Sequence, residues 1–247
     1  NIQVPGMLEL QGYGVPVYLN VGYAWRGHFE NNPPYVPIKD NYAGQYRRKV
    51  LIDKELKNRD IILHIGSATS NVRVWINGIE AGYSEDSKLE ARFDITKYVK
   101  FGAENEITLE VMRWCDGTYL EDQDFFRFTG IARDIYLQAR PKARVENIRI
   151  ITDRHGMIDY DITFSKEVAR YHYSITDSEY KIVTDSEYKY VTGDEVKPYF
   201  KKLSNLDCTP YLDKETGTYH GCNAFCILEY KLWSAEEPNL YYFNVDV

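Results

Sequence analysis

Glu121, Asp122 and Asp124 place three carboxylates within four positions of the stretch DGTYLEDQDFFRFTG (116–130), and two phenylalanines and Arg127 follow at once. Like charges crowded this closely need a use or a partner. If residues 122–124 run extended, the Asp122 and Asp124 side chains point to one side about 6–7 Å apart, from the rise of a strand. That is near the separation of about 6.5–9.5 Å between the acid and base of an inverting glycosidase. The same oxygens suit a hard cation such as Ca²⁺, Mg²⁺ or an alkali ion. The EF-hand spacing is absent, so a cation site here would be assembled from distant parts of the chain. A third reading pairs Glu121 or Asp122 with Arg127 or Arg133 and leaves the remainder solvated. Spacing alone leaves all three open.

The elements that must position this stretch read as strands. Period-2 alternation runs through YRRKVLI (46–52), IILHI (61–65), VRVWI (72–76), NEITLEV (105–111), RDIYLQA (133–139), VENIRIIT (145–152), IDYDITF (158–164), ARYHYSI (169–175), CILEYKLW (226–233) and LYYFNVDV (240–247). Short strands at this spacing, with turn residues between them, predict an all-β sandwich or barrel. Asn77-Gly78 between VRVWI and IEAGY predicts a type I′ hairpin, whose central residues both need positive φ. No helical pattern of useful length occurs, and FDITKYVKFG (93–102) is expected to form one turn at most. A proline and three basic residues in ARPKAR (139–144) suggest a boundary, giving units of about 140 and 100 residues, both ordinary domain sizes. TDSEYKIV (176–183) and TDSEYKYV (184–191) form a near-duplication, read as a hairpin insertion, since a solenoid needs more copies. Residues 193–221 read as a long irregular connection.

Composition narrows the functional classes. A net charge of −7 repels a polyanion and argues against nucleic acid. No apolar run approaches the roughly 18 residues of a membrane span. Twenty-two tyrosines, four tryptophans and ten phenylalanines fit half-buried strands, or a surface that stacks sugars or bases. Trp75 and Trp114 lie in alternating strand patterns, which assigns them to core packing ahead of a sugar platform. The five histidines show no metal spacing, and His64 between apolar neighbours reads as a structural histidine. Cys115 stands far from Cys208, Cys222 and Cys226, and none forms a CxxC pair, so thiols are the default, with a bridge from Cys208 to Cys222 or Cys226 as the alternative. The chain begins at Asn1 and shows no signal peptide, so its compartment, cytoplasmic or periplasmic, is not readable.

The run RWCDGTYLEDQDFFRFTGIARDIYL (113–137) resembles the signature of the sugar-binding domain in glycoside hydrolase family 2 β-galactosidases of the large bacterial type. Further similar pieces lie in order: VPGMLELQGYGVPVYLNVGYAW (4–25), PPYVP (33–37), GQYRRKV (44–50), VWINGIEAGYSEDSKLEARFDIT (74–96) and WSAEEPNLYYFNVDV (233–247). The resemblance implies a jelly-roll β-sandwich, galactose-binding-like, over 1–141 and missing its first strands, followed by an immunoglobulin-like β-sandwich over 142–247. It implies a non-catalytic N-terminal fragment of an enzyme that hydrolyses terminal non-reducing β-D-galactose residues with retention. The barrel carrying both catalytic glutamates would lie beyond Val247, so the fragment alone is expected to be inactive. The sugar site would be completed only together with that barrel, in a homo-oligomeric parent.

Carried residue by residue, the resemblance implies that Asp124 contacts galactosyl hydroxyls and a Na⁺ ion, and that Asn20 sits at the same mouth. Asp116 matches a position that helps to hold a peripheral Mg²⁺ with a glutamine, which here is Glu85 in GYSEDS. Glu121 and Asp122 are implied to fix the loop through backbone and arginine contacts. Two alternatives from other classes stay open: a free-standing carbohydrate-binding module, and a small glycosidase using Glu121, Asp122 or Asp124.

Overall fold

The computed structural model describes residues 1–121, 124–185, 210–227 and 230–247. They form strands, turns and three short 3-10 segments, and two compact units meet in sequence at Pro141 and Lys142. The first unit holds β1 (Gly6–Met7), β2 (Val17–Leu19), β3 (Ala43–Ile52), β4 (Arg59–Ile65), β5 (Ala68–Thr69), β6 (Val72–Ile76), β7 (Ile79–Ser84), β8 (Ala91–Asp94), β9 (Ala103–Met112), β10 (Phe125–Arg127), β11 (Gly130–Ile131) and β12 (Ile135–Pro141). Two antiparallel sheets, ordered β3-β9-β6-β7 and β12-β4-β8, enclose one core. Alternation decides which residues fill it. In β9, Ile107, Leu109 and Val111 point inward, and Val74 and Ile76 of β6 meet Ile61, Leu63 and Ile65 of β4. Each such side chain contributes about 1.5–3 kcal/mol on burial.

Asn77 and Gly78, with φ of 52° and 82°, close the β6–β7 hairpin in the predicted conformation. The Asn77 amide adds a use that alternation does not reveal. It donates to Tyr98 O at 3.0 Å and to Asn105 Oδ1 at 2.8 Å. His64 is buried, stacks on Tyr136 at 4.3 Å and reaches Glu90 at 3.3 Å, a structural role.

The second unit holds β13 (Val145–Thr152), β14 (Met157–Phe164), β15 (His172–Thr176), β16 (Ile182–Asp185), β17 (Tyr211–Leu212), β18 (Tyr219–Cys226) and β19 (Tyr242–Asp246). Its sheets run β13-β14-β18-β17 and β16-β15-β19. That is the A-B-E-D order of an immunoglobulin-like sandwich, with β15, β16 and β19 in the places of C, C′ and F. Tyr160, Tyr173, Phe225 and Phe243 pack face and edge in the core, with centroids 5.1–6.3 Å apart.

Two expectations are corrected here. The strand expected at 226–233 lies upstream, at Tyr219–Cys226, and so occupies part of the segment read as irregular. Gly221 and Asn223 interrupt the sequence signal there. The requirement they obscure is spatial: Gly221 lies against the Tyr171 ring, where a Cβ would come within 2.4 Å. The first TDSEYK copy forms the β15–β16 turn, its Asp177 carboxylate accepting the Glu179 and Lys181 amides at 2.9 Å. The second copy, from Ser186 onward, lies outside the described residues, as does Cys208. Cys222 is a free thiol.

Candidate functional site

A two-stranded ribbon of the first unit carries the candidate site. β2 and β10 pair antiparallel, Leu19 opposite Phe125, Tyr18 opposite Phe126 and Val17 opposite Arg127. Continuing that register by one step brings Asn20 and Asp124 to the same end of the ribbon, both exposed. The Tyr18 hydroxyl donates to Asp124 Oδ1 at 2.7 Å. That hydrogen bond, and next the carboxylate's charge, raise the Tyr18 pKa above 10.0. The exposed Tyr18 and Phe126 rings lie 5.2 Å apart, and Phe128 stacks 5.7 Å behind Phe126. A carboxylate, an amide and apolar ring faces therefore share one surface. This donor and acceptor set suits sugar hydroxyls, and its oxygens suit an alkali cation.

Behind the ribbon the chain from 113 to 130 is tied down residue by residue. Asn41 accepts the Trp114 N–H at 2.9 Å and donates to the Trp114 carbonyl at 3.1 Å. Glu9, buried, accepts the Tyr42 hydroxyl at 2.5 Å and the Thr129 N–H at 2.8 Å. Burial, followed by the bond to Glu9, pushes the Tyr42 pKa up to about 12. Trp25, fully buried, centres an aromatic cluster with Tyr23, Tyr119 and Trp114 at 5.2, 5.2 and 5.5 Å. Trp114 is buried, but in the loop that follows β9 rather than in a strand, while Trp75 is only half-buried.

Glu121 anchors the loop through both of its oxygen-bearing groups. Its carbonyl accepts from Arg127 at 2.9 Å, and its carboxylate accepts the Ser87 N–H at 3.0 Å. The backbone and arginine contacts expected of Glu121 are both present, and its carboxylate charge also acts on Arg127. Asp122 lies outside the described residues. Arg127 and Lys88 both cover the Phe125 ring, at 4.2 and 3.4 Å.

A second cluster lies apart from the ribbon in sequence. Glu85, Cys115 and Asp116 bring one ligand atom each within 4.8 Å of one another. Burial raises the Glu85 pKa, and Asp116 adds to the rise against the hydrogen bond from Tyr83. The two carboxylates could supply oxygens to a hard cation, while the thiol is a soft ligand poorly matched to Mg²⁺. The Cys115 thiol is already engaged with the Ser70 carbonyl at 3.7 Å.

Residues 1–141 match the family described as "Glycosyl hydrolases family 2, sugar binding domain". The chain belongs to glycosyl hydrolase family 2. Within the family it is similar to a β-galactosidase of Clostridium acetobutylicum, 36% identical over 97% of this chain and 24% of that protein. A β-galactosidase of Photobacterium profundum is also 36% identical, over 98% of this chain and 22% of the relative. The chain thus spans about a quarter or less of the length of these relatives. Among solved structures it is similar to a β-glucuronidase of Bacteroides uniformis, with a TM-score of 0.63 and 20% identity over 83% of this chain and 24% of that one. At that identity the likeness shows the family 2 fold alone.

Tyr18, Glu9 and Asn41 were not singled out by sequence. Tyr18 had a signal, since it stands two positions before Asn20, and alternation puts both on one side of an extended segment. Glu9 and Asn41 had none, because a lone polar residue between turns does not reveal a partner 73 or 120 positions away.

Proposed function

We propose that this chain is the sugar-binding portion of a family 2 β-galactosidase and contributes Asp124 and Asn20 to the mouth of its substrate site. The observation that carries the reading is the β2–β10 register, which delivers an exposed carboxylate and an exposed amide to one end of an aromatic-faced ribbon. Tyr18 occupies one Asp124 oxygen. The other is left to accept from galactosyl hydroxyls or to ligate Na⁺, with the Asn20 amide oxygen as a second ligand. A cation held there supplies charge for orienting sugar oxygens.

The chain's own groups do the positioning. Glu9, Asn41 and Glu121 hold the loop that carries Asp124, so the carboxylate meets substrate already placed. The names of the relatives support a β-galactoside as substrate. The acid/base and nucleophile of the retaining mechanism belong to a catalytic barrel outside these residues. Glu85 and Asp116 form a second, weaker candidate cation site, for Mg²⁺. The parent enzyme is proposed to be homo-oligomeric.

The test is hydrolysis of a nitrophenyl β-galactoside by this chain and by the enzyme containing it, with and without Na⁺. Activity is expected only in the enzyme. There, Asp124→Asn is expected to raise KM about tenfold, the equivalent of about 1.4 kcal/mol of binding, and to weaken the Na⁺ response. Turnover by the isolated chain that disappears in Asp124→Asn overturns the reading in favour of a self-contained glycosidase. Tight binding of non-galactosyl glycans by the chain alone supports a free-standing carbohydrate-binding module instead.

A further inference from the structure

We propose that His220 is a pH switch whose charge is read at the turn joining β17 to β18. Asp161, His220, Thr218, Thr216 and Asp213 hydrogen-bond in series from the sheet to that turn. His220 Nδ1 lies 2.8 Å from Asp161 Oδ1 of β14, and His220 Nε2 lies 2.7 Å from the Thr218 hydroxyl. Thr218 Oγ1 lies 2.6 Å from Thr216 Oγ1, which donates to Asp213 Oδ2 at 2.9 Å. The backbone of Asp213 closes the turn. Its N–H donates to the Thr218 carbonyl at 2.8 Å, and its carbonyl accepts the Gly217 N–H at 2.8 Å.

Proton counting fixes the direction of every link. An ionised carboxylate only accepts, so the single Thr216 proton goes to Asp213. The Glu215 N–H, and next the Thr216 hydroxyl, hold the Asp213 carboxyl below its ordinary range, so it is ionised. Thr216 then accepts from Thr218, which uses the one Thr218 proton, and Nε2 must donate to Thr218. Asp161 requires a proton on Nδ1 as well. Both ring nitrogens donate only in the imidazolium. In the neutral ring Asp161 keeps the Nδ1 proton, Nε2 becomes an acceptor, and Thr218 turns its own proton to Nε2. The Thr216–Thr218 contact is then two oxygens with no proton between them. The charge-assisted bond from Thr216 to Asp213 outlasts it, so the loss falls inside the turn. The series is complete with His220 charged and loses one link as pH rises through the imidazole range, ordinarily about 6.5.

Among the described residues, the groups around the ring leave that count unchanged. Tyr211 of β17 stacks on it at 5.8 Å, Thr163 of β14 stands opposite it, and Cys222 of its own strand stands opposite Asp161. Arg149 of β13, also opposite Asp161, reaches Asp159 at 3.8 Å. From the turn, Asp213 adds its negative charge, while Lys214 and Glu215 are exposed. The switch is independent of the galactoside reading, since none of its arguments uses Asp124 or Asn20.

The experiment follows the 247-residue chain by NMR from about pH 5 to about 7.5, above the ordinary carboxylate range and below that of phenols. Hydrogen-exchange protection at the Asp213 and Gly217 amides, relative to unstructured rates at each pH, is expected to fall about three- to tenfold. Its midpoint should be that of the His220 ring titration. In Thr216→Val, Thr218 is free to donate to the neutral ring and to accept from the charged one, so protection should no longer follow that titration. Ring nitrogen shifts of the native chain are expected to show both nitrogens protonated at the acid end and Nδ1 alone at the other. Native protection that is flat across the ring titration, a dependence that persists in Thr216→Val, or a neutral ring protonated at Nε2 overturns the proposal. Should Thr216→Val fail to fold, native exchange and the ring nitrogens decide.

Discussion

The Tyr18 hydroxyl donates to Asp124 Oδ1 at 2.7 Å, joining two residues 106 positions apart in sequence. That hydrogen bond holds the phenol's proton, and deprotonation would also set two negative charges against each other, so the Tyr18 pKa lies above its ordinary 10.0. Asp124→Asn removes the charge while leaving an acceptor. Tyr18 is expected to titrate at lower pH in that variant, followed by the absorbance of the phenolate or by its ring resonances. An unchanged titration would mean that the pair does not persist in solution.

Glu85 carries a pH signature of opposite character to that of most carboxylates. Its folded-state pKa is raised above 4.5, chiefly by burial. The fold therefore favours the protonated form, so this contribution is fully present below about pH 4.5 and is lost as pH rises through the folded value. Glu85→Gln, neutral at every pH, is expected to be more stable than the native chain at pH 7 and to flatten the stability profile above pH 4.5. If Mg²⁺ binds the Glu85–Asp116 pair, adding it at pH 7 raises the unfolding midpoint of the native chain and not that of Glu85→Gln. Thermal scans across pH, with and without the cation, read both effects.

Asn41 pins the start of the loop at Trp114. Asn41→Ala removes both hydrogen bonds to the Trp114 backbone and leaves a peptide N–H and a carbonyl to find other partners. The expected loss is about 1–3 kcal/mol, measured by denaturant unfolding with tryptophan emission as the probe. Asn41→Asp should restore the bond to the Trp114 N–H and recover part of the loss.

Gly130 ends the loop with φ of 143°, and a Cβ there would lie 2.7 Å from the Gly6 carbonyl oxygen and 3.1 Å from the Met7 Cα. No rotation relieves a backbone clash. Gly130→Ala is expected to separate β1 from β11 and to destabilise the chain by at least about 1–3 kcal/mol. Hydrogen exchange at Met7 and Ile131 should accelerate more than exchange in β9.

Much of the fold was legible because burial on one side of a strand leaves a two-residue period, and β3, β6, β9 and β14 carry it plainly. β18 was missed because Gly221 answers to the Tyr171 ring rather than to the pattern. β2 and β10, only three residues each, are too short to establish a period. Yet they position the candidate site, where carboxylate crowding marked Asp124 but only family likeness marked Asn20. The loop's anchors were hidden for another reason. Glu9 and Asn41 hold backbone groups, and a backbone group has no letter in the sequence.

The β2–β10 ribbon has a kinetic consequence. Six residues pair across more than a hundred positions of chain, so a long closure entropy stands against few contacts. Such a ribbon forms late and opens before the sheets behind it. A sugar or cation bridging Asn20 and Asp124 would close that opening, so occupancy should be read most directly as slowed amide exchange at Tyr18 and Phe126, in a protein whose core exchange is unchanged.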